Sequence, residues 1–373
     1  MRRADHLRLR GRACALGCVT ALVTSLLFGL SASLVAAGAL RADSVKHPVS
    51  VYPFSGFGGY QWAGAVTQIG SRWRVPTLLS KSVLGEAATW IGAESANGHF
   101  IQIGEIVDCP HRGASRYEAF WSDAALNFIP QPIGRLHEGD AISASMTQNS
   151  HGWTITLDDP STPLSFVKHV AYGAGQTFNY ADWIQEDPAP GNVAARDGPY
   201  PDITNTTFRA LRADGAAPHL QRRYGRTLMA SGGVIRVPTI EHDDSFTFIR
   251  TRGAAHRYLV DARQVVFAEN KFNARFVTWR SLSRATRRMD ADALVQAFKT
   301  GAAQLQSQSW PKASRRDVTD VVRDLRLDAS RLSAWSSSNY RATVNSFTAF
   351  ENGKFADDRM SDALRATLNL PSP

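Results

Sequence analysis

Two polar side chains interrupt apolar runs in this 373-residue sequence and could take part in chemistry. Gln102 lies within Phe100-Ile101-Gln102-Ile103-Gly104, and Glu186 lies within Trp183-Ile184-Gln185-Glu186-Asp187-Pro188. A carboxylate can accept a proton as a general base, and an amide can donate a hydrogen bond to a developing negative charge. Each position alone is also typical of a polar cross-strand residue in a sheet, and spacing alone favours that structural interpretation.

Other signatures of catalysis are missing from the sequence. It contains no Gly-x-Ser-x-Gly elbow, no His-Glu-x-x-His helix and no phosphate-loop pattern. Glu241-His242-Asp243-Asp244 could bind a metal, but a solvated turn is the favoured interpretation because no second ligand cluster has matching spacing. Cys109 is the only cysteine after residue 18, so that part of the chain cannot form an internal disulfide. We therefore expect no metal and no cofactor.

Short strands must position these residues. From about residue 60 to residue 250, short apolar or alternating runs are separated by Gly, Pro, Asn and Asp, with no helices between them. This pattern predicts an antiparallel sandwich or barrel. The run Ala63–Ile69 is expected to form a single strand. Strand parity places Ile101 and Ile103 on one face of their strand and Gln102 on the other.

The last third of the chain has a helical pattern instead. Two to four helices are expected after residue 280. Ser314-Arg315-Arg316-Asp317 resembles a capping box, with Asp in place of the usual Glu. Apolar residues with helical spacing precede it at Leu294, Val295, Phe298, Ala302 and Leu305 and follow it at Val318, Val321, Val322, Leu325 and Leu332.

The first 42 residues have the pattern of a targeting segment. Five Arg residues precede 28 uncharged residues, 13–40, and Ala37-Gly38-Ala39 has the small residues that signal peptidase recognises. A cleaved signal peptide is the favoured interpretation, and an uncleaved membrane anchor formed by residues 13–40 is the alternative. In both cases the chain after Ala42 is expected outside the cytoplasm, secreted or at the cell envelope.

The net charge of +9 is unevenly distributed. Residues 1–42 carry +5, residues 43–250 carry −4, and residues 251–373 carry +8. The basic residues of the last region alternate with acids along the expected helices, which indicates a solvated helix surface rather than a nucleic-acid interface. No nucleic-acid partner is therefore expected, and a membrane is expected as a partner only through the N-terminal segment.

Seven segments in order resemble motifs of the glutamic peptidases, the eqolisins or peptidase family G1. The resemblance covers about residues 60–250, half of the chain. The segments are Gln61-Trp62-Ala63-Gly64-Ala65, Val75-Pro76, Trp90-Ile91-Gly92-Ala93-Glu94-Ser95, Phe100-Ile101-Gln102-Ile103-Gly104, Tyr117-Glu118-Ala119-Phe120-Trp121-Ser122, Gly139-Asp140-Ala141-Ile142 and Ala181-Asp182-Trp183-Ile184-Gln185-Glu186-Asp187. In the last segment the family reads Ala-Glu-Trp-Ile-x-Glu-Asp.

The resemblance implies a lectin-like antiparallel β-sandwich and a secreted acid endopeptidase. The expected organisation is a signal or anchor at 1–42, a linker or short pro-region at 43–59, the sandwich at 60–250 and a basic, mainly helical extension at 251–373. The implied enzyme is a monomer, hydrolyses polypeptides, and needs neither a metal nor a cofactor.

The resemblance also implies the site residues. It implies that Gln102 and Glu186 are the catalytic pair: Glu186 activates water, and Gln102 stabilises the oxyanion. Trp90 and Glu94 fall at family positions that line the substrate site, although packing in the core is an equally good interpretation of Trp90. Ser122 replaces an acidic residue of the family, which bears on substrate preference and pH dependence.

A second class of function stays open at this point. The same sandwich could bind carbohydrate or protein at the cell envelope without catalysis, because a fold alone does not establish activity. Retention of both Gln102 and Glu186 favours the enzyme, since a pure binding protein has no need of them.

Overall fold

The computed structural model describes residues 56–80, 85–109, 113, 115–188, 200–221, 224–276, 281–337, 361–368 and 370. The predicted targeting segment, 1–42, lies outside the described residues, as does most of the predicted linker, 43–59. Within the part of the chain that the structure describes, no helix combines the length and the apolar character that crossing a membrane requires.

Fifteen described strands form two antiparallel sheets, and three long helices and a short helical segment at 361–367 follow them, which confirms the predicted fold class. The front sheet has the order β12-β1-β10-β3-β4-β5-β6, and the back sheet has the order β13-β14-β15-β11-β2-β7-β8-β9. The strands are β1 (Phe57–Val66), β2 (Gln68–Arg74), β3 (Gly85–Glu94), β4 (Phe100–Cys109), β5 (Arg116–Asp123), β6 (Gln131–Arg135), β7 (Ala141–Asn149), β8 (Gly152–Asp158), β9 (Ser165–Val170), β10 (Phe178–Glu186), β11 (Thr206–Ala213), β12 (Gly225–Arg226), β13 (Leu228–Met229), β14 (Ile235–His242) and β15 (Ser245–Arg250).

The main core lies between the two sheets. Alternate residues of each strand face it, as a period of two requires. On β4, Ile101 and Ile103 are fully buried in this core, together with Trp183 of β10 and Trp153 of β8. Gln102 therefore points to the opposite, outer face of the front sheet, as strand parity predicts.

An acid within the core links the sheets. Glu105 of β4 is fully buried, and its Oε2 accepts a hydrogen bond of 3.1 Å from the indole Nε1 of Trp73 on β2. Burial raises the pKa of Glu105 well above its ordinary value, against the lowering effect of the bonds from Thr89 and Trp73. Burial between the two sheets therefore favours the neutral form of this side chain.

The single strand expected at Ala63–Ile69 is in fact two strands, which was a wrong prediction. β1 ends at Val66 and β2 begins at Gln68, so the chain passes from the front sheet to the back sheet at Thr67. The Oδ1 of Asp214 accepts hydrogen bonds from the backbone N–H groups of Thr67 and Gln68, at 2.7 and 2.9 Å. This distant carboxylate satisfies the backbone at the bend, which the local sequence pattern could not reveal.

Three long helices follow the last strand: α1 (Gly253–Phe276), α2 (Arg284–Ser307) and α3 (Arg315–Ser337). The apolar positions predicted on α2 are all buried, which confirms its helical spacing. The predicted capping box of α3 does not form a cap in the expected way: Ser314 precedes the helix, but its buried hydroxyl has no hydrogen-bond partner among the described residues. The division of the chain into domains stays a prediction.

The helices pack against β14 of the back sheet. Ile235 and Val237 of β14 belong to one buried cluster with Leu259 of α1, Leu305 of α2 and Val318 of α3. The extension therefore shares a hydrophobic core with the strand region, and burial of this apolar surface stabilises the contact.

We expect the variant Leu259→Ala to lower the free energy of unfolding by about 2–5 kcal/mol, because it leaves a cavity in this cluster. The matched control is Val260→Ala on the next residue, which is 42% exposed and should change stability by less than about 0.5 kcal/mol. Urea unfolding followed by far-UV circular dichroism measures both. Equal effects of the two variants would contradict a cluster shared by helices and sheet.

Candidate active site

One row of residues crosses five strands of the front sheet at the same level. Gln102 of β4 is paired with Ser122 of β5 on one side and with Gly92 of β3 on the other. Gly92 is paired with Asp182 of β10, and Asp182 with Gln61 of β1. All five positions have the parity of the outer face. The register of the sheet thus aligns an amide, a residue without a side chain and a carboxyl group.

Gly92 creates a gap between the amide and the carboxyl group. The Cα atoms of Gln102 and Asp182 are two strand spacings apart, about 10 Å. A Cβ atom at position 92 would lie 3.0 Å from the ring of Trp90 and 3.1 Å from the carbonyl oxygen of Ile101. The space beside Gly92 is therefore bounded by the indole of Trp90 and flanked by the side chains of Gln102 and Asp182.

Both flanking side chains are buried and retain unused hydrogen-bonding capacity. Gln102 is 5% exposed, and its Nε2 donates to Ser122 Oγ at 2.8 Å, which uses one of its two N–H groups. Gln102 Oε1 and Asp182 Oδ2 have no hydrogen-bond partner among the described residues. Buried polar atoms are rarely left unpaired in folded proteins, so these two oxygens are suited to contact a bound molecule.

A charged network adjoins the row. Arg226 Nη2 of β12 donates to Gln61 Oε1 at 2.6 Å, and Gln61 Nε2 donates to Glu94 Oε2 at 3.0 Å. The Gln61 side chain also forms a hydrogen bond with Asp182. Glu94 follows Gly92 by two residues, so its side chain projects from the same face beside the gap.

This environment raises the pKa of both acids. Burial is the main cause of the raised pKa of Asp182; the neighbouring Glu94 adds to it, and the bond from Gln61 and the charge of Arg226 oppose it. Burial also raises the pKa of Glu94, against Arg226 and Gln61. Two carboxyl groups next to one guanidinium therefore favour a state in which one acid is ionised and the other protonated.

The predicted partner of Gln102, Glu186, lies at another level of the sheet. Glu186 is paired with Ala88 of β3, four residues before Gly92, and β10 lies two strand spacings from β4, with β3 between them. In a regular sheet this offset corresponds to about 16 Å between the Cα atoms of Gln102 and Glu186. The structure does not bring the two side chains of the predicted pair together, and the register favours Asp182 as the acid opposite Gln102.

Glu186 contacts Trp90 instead. Its Oε2 accepts a hydrogen bond of 2.9 Å from the indole Nε1, and its side chain is only 7% exposed. Burial raises the pKa of Glu186 to about 7; the bond from Trp90 lowers it, and the nearby charge of Asp187 raises it. The Trp90 indole thus lies between Glu186 at one end and Gly92 at the other.

The residues predicted to line the site, Trp90 and Glu94, both lie on the outer face next to Gly92. Sequence reasoning missed Gly92, Asp182, Gln61 and Arg226. A signal for Asp182 was present, because the Ala181–Asp187 motif contains acids at both 182 and 186. Their separation is even, so parity places both on the same face, and only the pairing of β10 with β3 distinguishes them.

In the described ranges, no three His, Cys, Asp or Glu side chains are grouped so that they could hold a metal ion. Glu94 and Asp182 face the guanidinium of Arg226, which already supplies positive charge to both.

No family model and no curated protein matches this sequence. The chain is similar to solved structures of scytalido-glutamic peptidase, one with a peptide-based transition-state analogue (16% identity, TM-score 0.39) and one with a transition-state analogue inhibitor (14% identity, TM-score 0.39). It is also similar to SCP-B, a member of the eqolisin family of peptidases, in a complex with the tripeptide Ala-Ile-His (15% identity, TM-score 0.37). In each case the similarity covers 53% of this chain and 98% of the other chain.

Proposed function

We propose that this protein is a peptidase in which Gln102 and Asp182 act on a peptide bond placed beside Gly92. The observation that carries the proposal is the row itself: a buried amide and a buried carboxyl group, each with an unused oxygen, flank a residue without a side chain. The sequence motifs that resemble the glutamic peptidases support the same chemistry.

The proposed reaction needs only these two side chains and water. Ionised Asp182 takes a proton from a water molecule as the water oxygen bonds to the peptide carbonyl carbon. The second N–H of Gln102 donates to the resulting oxyanion. When the tetrahedral intermediate collapses, the C–N bond breaks and protonated Asp182 returns its proton to the leaving amine. One peptide bond and one water molecule thus give one carboxyl group and one amine.

The pKa direction sets the expected pH dependence. Asp182 must be ionised to act as a base, and its pKa is raised by burial and by Glu94. Activity should therefore increase with pH through a value above that of an ordinary aspartate. The raised pKa also suits the second step, because a weaker acid holds its proton until the amine is ready to leave.

Glu186 has a supporting role in this proposal. Its pKa of about 7 keeps it protonated in acid, and a protonated carboxyl group can still accept the bond from Trp90 Nε1 through its carbonyl oxygen. Glu186 thereby fixes the indole that bounds the gap at Gly92.

Secretion or retention at the cell envelope is part of the proposal and rests on residues 1–42.

We expect Asp182→Asn and Gln102→Ala to lower the rate of peptide-bond cleavage by about 100-fold or more, because they remove the base and the oxyanion donor. Glu186→Gln should stay within a few-fold of the parent, since glutamine also accepts a bond from Trp90. Initial rates on an unfolded protein substrate between pH 2 and 7 measure all three, with circular dichroism to verify folding.

The opposite pattern, with Glu186→Gln inactive and Asp182→Asn active, would establish the pair predicted from sequence. A parent protein that cleaves no better than its variants at any pH would support the non-catalytic binding sandwich instead.

Gly92→Ala should reduce kcat/KM by about 10- to 100-fold while leaving the fold intact, because the new methyl group displaces the Trp90 ring and narrows the gap. Gly70→Ala on β2 is the matched control. Its Cβ would meet its nearest atom at 3.7 Å, an ordinary contact, and we expect no change in kcat/KM. Equal rates for both variants would show that the gap is not used.

Stability should also depend on Glu186. Its folded-state pKa of about 7 lies above the ordinary 4.5, so protonation favours the folded state: the stabilisation is complete below pH 4.5 and is lost as pH rises through 7. Such a shift corresponds to about 3 kcal/mol. Relative to Glu186→Gln, the parent should therefore lose stability between pH 4.5 and 7.5 in urea unfolding. Parallel curves for the two proteins would show that the pKa is not raised.

A further inference from the structure

We propose that Arg226 is a positioning residue of this site, which holds Gln61 in one amide orientation and balances a single negative charge shared by Asp182 and Glu94. This inference rests on the proposed function for its catalytic consequence, but not for its electrostatic one.

The orientation follows from the hydrogen-bond partners of Gln61. A guanidinium can only donate, so Arg226 Nη2 must meet the oxygen of the Gln61 amide, which it does at 2.6 Å. The amide nitrogen is then turned towards the acids and donates to Glu94 Oε2 at 3.0 Å. Gln61 also forms a hydrogen bond with Asp182. Without Arg226, the oxygen of the Gln61 amide would lose the donor that holds it away from the acids.

The charge balance follows from the groups that face one another. Arg226 is linked to Glu94 of β3 through Gln61 of β1, and its charge also acts on Asp182 and Tyr180 of β10. One guanidinium neutralises one carboxylate. A second negative charge in the same buried site has no counter-ion among these groups, so the two acids share a proton. Asp182 can act as a base in the form of this pair whose single negative charge lies on Asp182 and whose proton lies on Glu94.

The placement of Arg226 depends on two short consecutive strands, one in each sheet. β12 pairs with β1 through Gly59 and Arg226, and after Thr227 the chain continues into β13, which pairs with β14 of the back sheet. A Cβ atom at Gly58 would overlap the backbone of Leu228, so glycine is needed there for this close approach. The chain carrying the guanidinium is therefore fixed at both ends.

The experiment compares Arg226→Met, which has similar length and no charge, with Arg226→Lys, which keeps the charge. The acid limb of the pH profile of kcat/KM should move upward by about one pH unit in Arg226→Met, because the cation no longer favours the first ionisation of the pair. Arg226→Lys should restore the limb towards the parent position. Arg209→Met, at an exposed position of β11, is the control and should leave the profile unchanged.

The variant Glu94→Gln should shift the acid limb of the kcat/KM profile in the opposite direction to Arg226→Met. It removes the neighbouring acid, so the limb should move to lower pH, and the double variant Arg226→Met with Glu94→Gln should lie between the two single variants. If Arg226→Met does not fold, Glu94→Gln and Arg226→Lys still test the proposal. A limb that stays in place in Glu94→Gln, or that moves equally in Arg209→Met, would overturn it.

A measurement without substrate separates this inference from the proposed function. Carbon-13 NMR of aspartate side chains, with Asp182→Asn for assignment, follows the titration of Asp182 in the parent and in the Arg226 and Glu94 variants. A parent that cleaves no peptide would refute the peptidase, while the expected opposite shifts of the Asp182 titration would still uphold the role of Arg226. An Asp182 titration identical in the parent and in Arg226→Met would refute that role.

Discussion

The pairing register of β4, β3, β10 and β1 is the constraint on which the candidate site depends. It places Gln102, Gly92, Asp182 and Gln61 in line across the strands, although they come from positions far apart in the chain. A slip of one residue in any of these strands would turn its site residue into the core and bring a core residue out. The buried Ile and Trp residues on the inner face therefore define the site as firmly as the polar residues themselves.

Burial raises the pKa values of the carboxyl groups in the site, and it also makes their ionised forms unfavourable. Carboxyl groups held away from water favour the neutral form, as the raised pKa values of Asp182, Glu94 and Glu186 show. The protein meets this cost in two ways. Asp182 and Glu94 have Arg226 and a bridging amide, so the pair can keep one charge. Glu186 accepts a bond from an indole N–H and lies next to an acid, which suits a neutral hydrogen-bond acceptor.

The sequence predicted the sandwich, the helices after residue 280 and the outward position of Gln102, because each depends on local periodicity; α1, at Gly253–Phe276, lies before the region in which helices were expected. It could not select between Asp182 and Glu186. Both have the same parity on one strand, four positions apart, and they acquire different neighbours only through pairing with β3, a segment about 90 residues earlier. The role of Arg226 could not be predicted from the sequence either, since a strand of two residues has no periodicity to recognise. The two-strand break at Thr67 depends in the same way on a carboxylate far along the chain, Asp214.

The segment from β12 to β13 has a mechanical consequence for the whole sandwich. Two of its residues belong to the front sheet and two to the back sheet, with a single residue, Thr227, between them. This segment therefore connects the two sheets along this edge, and the sheets cannot slide past each other there without breaking strand pairs. At the far edge, β6 and β9 end the two sheets, and these two strands are not consecutive in the chain. Sliding of one sheet over the other should therefore be most restricted at the edge formed by β12 and β13, which is the edge that carries Arg226.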